Sequence, residues 1–484
     1  MLLKQILTGP QNTWLVSVFA GLSVLTAYLL TLPPDITWAY QGADGGDLTT
    51  AVATLGVPHP SGYPTYILVG WVFSQLPVGP MAWRLNLLSA VAVAIAAWFL
   101  FKIVRQITGL ASAALVAAWT FAFAPLVWSQ AIITEVYGLH LFFVCLLLWS
   151  ALQIRLGRSK QPILLGLCFG LACGVHLTIV FLIPLLIGLG GKKIKDMWVS
   201  ILGGFILGLL IFAYLPLRSG QGAITWGTPH TASGFFDLVS GQIYQGYLFD
   251  VPPQFVGSRL LGVGSYLTEV GILGILFFIV GTRWVWHNDK NTLYWSALSA
   301  GSYAIYAIGY RTADSYVYLM PIFVFIGIAV GLGIKVLITN ISSILWYRIV
   351  IGVILGWSLL IGILRGQQIT LYQDDTATRF LEQVLTEAPE NAVLLTYEDK
   401  HTFTLWYGHH VLTQRTDIAI VDTGLVTFDW YRNDLRRHYP HLTDLPQLAD
   451  IFNQQADYGY PLCAVLEKEF DISWSLECLI PSTE

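Results

Sequence analysis

Apolar residues in this chain come in long unbroken runs, not in the alternating or 3.6-residue patterns of elements with one wet face. Runs of about 18 or more residues, enough to cross a bilayer, fall at 12–33, 82–104, 110–130, 137–156, 198–216, 260–282, 292–309, 316–339 and 344–364. The stretch 161–190 is too long for one span, and Gly174-Val175-His176 offers a turn near its middle. It reads as a hairpin of two short spans, giving about eleven in all. A single long tilted span is the alternative, and it would invert everything downstream.

Lys and Arg in short loops orient such a chain. With the N-terminus and Lys4 inside, the inner loops carry Lys102 and Arg105, then Arg155, Arg158 and Lys160, then Lys192, Lys193 and Lys195, then Arg283 and Lys290, then Lys335 and Arg348. The outer loops carry mainly Arg84, Arg218, Arg259 and Arg311. The bias persists past residue 190 only if 161–190 is a hairpin. Three sizeable segments then face outward: 34–81, 217–259 and 366–484. Residues 63–77 are apolar but short, bounded by prolines and carrying Tyr and Trp, as a helix lying at the membrane surface requires. A re-entrant helix is the rival reading.

The pattern changes after residue 365. Residues 374–390 have the spacing of an amphipathic helix, with Phe380, Leu381, Val384 and Leu385 on one face. Segments 391–396 and 417–422 read as short buried strands with a helix over 402–413 between them. The division expected is a membrane domain over 1–365 and a small extracytoplasmic α/β domain over 366–484.

Composition agrees: 55% of the 484 residues are hydrophobic and 11% charged, against about 25% charged in a soluble domain. The first apolar run has no small-residue cleavage site after a short core, and is expected to stay as an anchor. The net charge of −4 and the scattered basic residues leave no nucleic-acid footprint. Cys145, Cys168 and Cys173 fall in apolar spans, whereas Cys463 and Cys478 lie in the tail, where an oxidising compartment would let them pair.

The candidate chemistry gathers in the outward loops. Asp44 and Asp47 sit among Gly42, Gly45 and Gly46, which free the backbone for positive φ and close approach. An acidic pair there can take a proton from a hydroxyl or hold a divalent cation; a solvated turn is the plainer explanation. Pro58-His59-Pro60 and Tyr63-Pro64 stiffen the same loop, with His59 a base or a phosphate donor. Glu135 precedes the fourth span and either faces a water-filled cavity or stabilises a helix start capped by Thr134. Packing is the plainer reading for His140 and His176, snorkelling rather than a bidentate phosphate grip for Arg218, and a local ion pair for Arg311 and Asp314. Walker A loops, dinucleotide fingerprints, zinc-protease motifs and paired Cys-x-x-Cys are absent. A transferred group must therefore arrive already activated, and a lipid-linked donor suits a site at the membrane face.

Gly42-Ala-Asp-Gly-Gly-Asp-Leu, Leu55-Gly-Val-Pro-His-Pro-Ser-Gly-Tyr-Pro and Trp83-Arg-Leu-Asn-Leu-Leu-Ser-Ala resemble the family catalogued as domain of unknown function 2723, which includes the eukaryotic transmembrane protein 260-like O-mannosyltransferases. Thr134-Glu-Val-Tyr-Gly-Leu, Tyr214-Leu-Pro-Leu-Arg-Ser, Trp226-Gly-Thr-Pro, Pro389-Glu-Asn-Ala-Val-Leu-Leu-Thr and Arg415-Thr-Asp-Ile continue the match in order. More distantly the layout is similar to GT-C glycosyltransferases, which place an acidic motif in the first outward loop and use a polyprenyl-phosphate sugar.

That resemblance implies a polytopic all-α, GT-C-like membrane protein with the small α/β domain appended. It implies an inverting transfer of a sugar, mannose by analogy, to a hydroxyl acceptor such as Ser or Thr of an exported protein or a glycan. Asp44 would be the catalytic base. Asp47 stands where the family usually has a glutamate, and its shorter side chain leaves its role open. Arg218, then Arg311 and His59, would meet the donor phosphate, and Glu135 would orient the acceptor or a metal. Tyr63, Tyr137, His176 and Asp314 would line the substrate. It fixes no cofactor and leaves a divalent cation as the one candidate. Membrane lipid and the lipid-linked sugar are the expected partners, in the plasma or inner membrane of a bacterium or the endoplasmic reticulum of a eukaryote. A transporter or flippase of lipid-linked sugar is the competing function; its charges would sit near the midplane in repeated halves, whereas here they cluster at one face.

Overall fold

The computed structural model describes residues 13–339, 341–442, 445–455, 458–467 and 474–481; Lys4, used above to orient the chain, lies outside them. A helix stands at each of the eleven expected positions. Among the described residues, seven helical stretches are long and apolar enough to cross a bilayer, and the pair α5 (Ala111–Ala122) and α6 (Pro125–Ala131), bent by 70°, makes an eighth. Ahead of that pair lie α1 (Thr13–Leu29), the loop helices α2 (Gly45–Thr54) and α3 (Pro64–Ser74), and the span α4 (Met81–Thr108). After it come α7 (Tyr137–Arg155), α8 (Pro162–Cys173), α9 (Ile183–Asp196), α10 (Trp198–Leu209) and the short α11 (Tyr214–Arg218). The membrane region closes with α12 (Ala232–Ser240), α13 (Pro253–Leu267), α14 (Gly271–Asn288), α15 (Lys290–Gly309), α16 (Met320–Thr339) and α17 (Ile344–Ile369). The helices α1 and α8 are shorter than a full span. Asn291, Thr292, Ser296, Ser299 and Ser302 make α15 more polar than one.

The stretch 161–190 breaks at Gly174–His176, as a hairpin requires. Its tip is tied to the first loop, where the Thr65 N–H donates to the Gly174 carbonyl (2.9 Å) and the Thr65 hydroxyl to that of Leu171 (2.7 Å). The first arm, α8, meets α10 backbone to backbone: a Cβ on Gly166 would stand 1.8 Å from the Ile201 carbonyl oxygen. Such contacts between small residues are how helices associate where lipid is as apolar as leucine. The run 260–282 falls in one helical stretch, Pro253–Asn288, long and apolar enough to cross a bilayer, with a break in its regular turns at Thr268–Val270 between α13 and α14. Glu269 in the break accepts a hydrogen bond from the Leu126 N–H (2.8 Å), and Arg365 binds the carbonyls of Phe123 (2.8 Å) and Glu269, so the interrupted backbone is satisfied by side chains. The helix α3 buries Tyr66, Ile67 and Gly70 and exposes Leu68, Trp71 and Val72, an apolar outer face consistent with a place at the membrane surface.

The tail begins with α18 (Thr376–Glu387), whose Phe380, Leu381, Val384 and Leu385 are buried. Four strands follow, β1 (Val393–Thr396), β2 (Ala419–Asp422), β3 (Leu462–Glu467) and β4 (Trp474–Leu479), in the order β2-β1-β3-β4. β1 runs parallel to both neighbours, and β3 and β4 are antiparallel. Helix α19 (Asp399–Trp406), extended by a wider turn over Tyr407–Val411, connects β1 to β2 where 402–413 was expected to be helical. Helices α20 (Asp429–His438) and α21 (Leu448–Asn453) precede β3. Cys463 and Cys478 face each other in the β3–β4 register and form a disulfide.

This domain is seated on the first loop. Trp38 donates to the Thr404 hydroxyl (2.9 Å), Tyr407 to the Asp35 carboxylate (2.8 Å), Tyr40 to the Ile369 carbonyl (2.9 Å), and Thr37 bonds Asp374. Closest of all is Gly46, where a Cβ would lie 2.2 Å from the carbonyl oxygen of Phe403. Both partners there are backbone, so neither yields. Gly46→Ala should therefore cost about 1–3 kcal/mol or more, read as a Tm lowered by several degrees in detergent and faster proteolysis near residue 370. An unchanged Tm would show that the docking does not depend on this contact.

Candidate active site

The site is organised by α2, a helix buried over nearly its whole length. Thr49 and Thr50 return their hydroxyls to the carbonyls four residues back (2.6 and 2.8 Å), which satisfies them without water. The C-terminal carbonyls are capped from afar. Arg218 donates to Leu55 (2.7 Å) and Thr54 (3.1 Å), and Tyr214 to Gly56 (2.8 Å). The motif Tyr214-Leu-Pro-Leu-Arg is thus a cap for this helix, and its cation sits at the negative end of the dipole. The positive φ values of the loop fall at Tyr40, Gln41, Leu55, Gly62, Tyr63 and Gly79, not at Gly42, Gly45 or Gly46. What Gly46 supplies is close approach.

Asp47, in the first turn of α2, is completely buried. Its carboxylate receives the indole N–H of Trp226 (3.1 Å), the backbone N–H of His59 (3.0 Å) and the His59 Nδ1 (2.6 Å). The Pro-His-Pro turn holds the imidazole so that its Nε2 points to Asp44, 3.5 Å from the carboxylate oxygen. Burial opposes a charge on His59, but Asp44 and Asp47 overcome it and lift its pKa to about 9. An imidazolium here hydrogen-bonds Asp47 through Nδ1 and faces Asp44 as an ion pair through Nε2.

Asp44 occupies the position where an aspartate ordinarily turns back to cap the helix, yet it makes no capping bond. Its side chain keeps 39% of its surface accessible and, among the described residues, accepts no hydrogen bond within 3.5 Å. Burial by surrounding protein raises its pKa; His59 opposes that, and Asp47 and Asp314 add to it. An oriented, unspent carboxylate of raised basicity is the group a hydroxyl can give its proton to.

Glu135, buried, faces the same charges. Burial, then Asp44, push its pKa well up, with His59 opposing. Thr134 does not cap α7; its hydroxyl contacts Asn86 Oδ1 (2.7 Å) and the Ala82 carbonyl (3.3 Å). Tyr63 packs 5.0 Å from His59 and donates to the Pro60 carbonyl (2.9 Å). Tyr137, His176 and Tyr318 form a ring cluster with centroids 5.6–6.1 Å apart. His176 caps the turn after the hairpin tip through Thr178, and His140 is buried beside it.

Three site residues carried no signal that marked them in the sequence. Trp226 stood in a quoted motif without a role. Tyr318 begins a span. Asp399 comes from the tail, and its pKa rises to about 6, through burial first and then the negative charge of Asp44. Its acidity at the start of α19 reads locally as an ordinary helix-start residue.

Arg218 caps the end of α2 away from Asp44, about 14 Å along a ten-residue helix. Arg311 is exposed and pairs with Asp250 (2.5 Å) on the rim. No three of the described His, Cys, Asp and Glu side chains are grouped to hold a metal ion. Asp47 has both oxygens taken by Trp226 and His59, so the acidic loop does not fit a divalent cation as a ready cage.

Comparison with known proteins bears out the resemblance carried by the motifs. Residues 44–193 match the family model described as the Protein O-mannosyl-transferase TMEM260 N-terminal domain, and 374–454 that described as TMEM260-associated domain 2. The mouse protein named Protein O-mannosyl-transferase TMEM260 is 28% identical over 469 residues, covering 88% of this chain and 64% of its own length. The Dictyostelium discoideum protein of the same name is 23% identical, covering 86% and 58%. The chain thus spans roughly three fifths of these relatives. Among solved structures, ArnT from Cupriavidus metallidurans superposes with a TM-score of 0.64 in the apo state and 0.60 bound to undecaprenyl phosphate, at 12% identity. Each of the two covers at least 97% of this chain and 98% of the other. An Archaeoglobus fulgidus oligosaccharyltransferase, solved with Zn and sulfate, gives 0.52 over 84% of this chain and 62% of its own. The fold is GT-C-like.

The His59 pKa sets a stability test. A folded-state value raised to about 9 from the usual 6.5 makes a contribution fully present below 6.5 and lost as pH rises through 9. The Tm gap between the wild type and His59→Asn should be widest near pH 6 and should narrow toward pH 9–10. A gap independent of pH would mean that His59 is not held as an imidazolium.

Proposed function

We propose that this chain, a GT-C-like relative of the TMEM260 proteins, is an inverting glycosyltransferase that moves a sugar, mannose by analogy, from a polyprenyl-phosphate donor to a hydroxyl acceptor. The observation that carries the reading is the open Asp44 carboxylate, presented by a buried Asp47–His59 pair at the mouth of a membrane bundle.

The acceptor oxygen attacks the anomeric carbon as the bond from that carbon to the phosphate oxygen breaks. The polyprenyl phosphate leaves with the electron pair, and the acceptor proton passes to Asp44. Displacement from the opposite face inverts the anomeric centre. Asp47 keeps His59 charged and aimed; His59 in turn keeps Asp44 ionised and in place. Glu135 and Asp399 are placed to accept hydrogen bonds from sugar or acceptor hydroxyls, and Tyr63, Tyr137 and His176 form the wall behind them. Arg311 is the better candidate than Arg218 for the leaving phosphate. Arg218 is spent on α2, while the Arg311–Asp250 pair is exposed and worth little, so exchange for a phosphate costs little. The basic residues at the opposite helix ends support a site on the extracytoplasmic side, with the tail beside it and the N-terminus cytoplasmic. An acceptor on an exported protein would meet it there.

Asp44→Asn should lower sugar transfer from synthetic polyprenyl-phosphate mannose by about 10²–10⁴-fold with donor binding retained. Equal turnover by wild type and variant would remove Asp44 as the base. In wild type, the acid limb of the rate profile should lie above the ordinary carboxylate range, because the Asp44 pKa is raised. Arg311→Ala should raise the donor KM more than it lowers kcat; the reverse split would return the phosphate to another residue.

A further inference from the structure

The hairpin tip brings one more group to the site. His176 follows the turn at Gly174, whose carbonyl is held by the Thr65 N–H of α3 (2.9 Å). Its ring enters the cluster of Tyr137, Tyr318 and Tyr63, with centroids 5.6, 5.6 and 6.3 Å away. It lies within 16° of parallel to the Tyr63 ring, and Tyr63 in turn lies 5.0 Å from His59. One aromatic ring therefore links His176 to the imidazole that faces Asp44.

The turn sets the tautomer of His176. The Thr178 backbone N–H stands 3.3 Å from Nδ1 and the Thr178 hydroxyl 2.8 Å. A backbone amide can only donate, so Nδ1 is the acceptor and the ring proton sits on Nε2. Burial, then the charge of His59, hold the ring neutral, with its pKa down to about 4. The side chain is half-buried, and Nε2 hydrogen-bonds no described residue. Unlike the nitrogens of neighbouring His140, which are sealed, it stays accessible.

From this arrangement we infer that His176 reads one hydroxyl of the transferred sugar, donating from Nε2 to an oxygen on the edge of the ring away from the reacting carbon. The inference rests on the transferase reading above. Asp44, Glu135, Asp314 and Asp399 share the site's field, and an ionised carboxylate offers acceptors alone. The nitrogens of His59 already face Asp47 and Asp44. A sugar hydroxyl both donates and accepts, so a site walled by carboxylates leaves its lone pairs unmet until a donor is added. Neutrality selects the partner. An uncharged N–H gains less from a phosphate than a guanidinium does, but it matches an uncharged hydroxyl held among rings, where the absence of that hydroxyl leaves a polar group unpaired. Position selects the edge. Asp44 meets the acceptor at the anomeric carbon, and His176 stands beyond Tyr63, a ring's width from the His59–Asp44 pair.

The test uses the full chain in detergent with polyprenyl-phosphate mannose and its 2-deoxy, 3-deoxy and 4-deoxy analogues. Binding is followed by calorimetry, and transfer to a capped serine peptide is measured alongside. His176→Asn keeps an oxygen where Nδ1 meets Thr178 and removes the Nε2 donor, whereas His176→Gln returns an amide N–H close to its place. Wild type should bind the mannose donor about three- to tenfold more tightly than the 3-deoxy or the 4-deoxy donor. His176→Asn should erase that difference by weakening mannose alone, and His176→Gln should restore part of it. A loss equal for every donor would mean a packing role, and a loss seen only against the 2-deoxy donor would put His176 beside the reacting carbon; either overturns the inference. Hydroxyl-selective binding that depends on His176, without transfer by wild type, would keep the inference and sink the transferase reading. Transfer without that selectivity would do the opposite, and neither binding nor transfer would remove both.

Discussion

A carboxylate with no access to water has to be surrounded by donors, and Asp47 is where this molecule meets that requirement. Its three hydrogen bonds come from the Pro-His-Pro turn and from Trp226, 12 and 179 residues away. Satisfying one buried charge thereby pins two distant loops together. It also aims an imidazolium at Asp44 and leaves that carboxylate alone without a fixed partner. Exposure of the Asp44 carboxylate goes with complete satisfaction at Asp47.

The same economy governs the arginines. Arg84, Arg218 and Arg259, in α4, α11 and α13, run against the charge bias read from the sequence. Each is bound to main-chain carbonyls: Arg84 to Ser74, Val78 and Gly79, Arg218 to the end of α2, and Arg259 to Ala307, Tyr310 and Thr312. Where helices end in irregular backbone beside lipid, orphan carbonyls need donors, and a guanidinium supplies several at once. These residues depart from the topology signal because they are structural. Arg311, paired only on the rim, is the exception that leaves a cation available.

The tail is a wall of the site as much as an appended domain. Its helix α19 lies against Gly46, brings Asp399 into the field of Asp44 and places Phe403 against Trp226, while Trp430 of α20 packs on the same indole. Mobility of the tail would be felt at the acidic loop, which gives the glycine there a physical reason to be glycine: a methyl group would push the two bodies apart.

The sequence by itself determined a helix at each apolar run, the hairpin at 174–176, the rigid acidic loop, and the amphipathic α18 with its strand–helix–strand successor. Each of these is a local property: an apolar run, a turn, a proline pair or a periodicity acts over a few residues wherever the chain goes. It also pointed to Asp44, Asp47, His59 and Glu135, because charge in so apolar a chain is conspicuous. Only the tertiary structure decided that Asp47 is sealed while Asp44 is open, that Arg218 caps a helix, that the 260–282 run breaks at Glu269, and that Trp226 and Asp399 belong to the site. Those outcomes depend on desolvation and on contacts between residues tens to hundreds of positions apart, and no local pattern encodes which distant donor a buried group will meet.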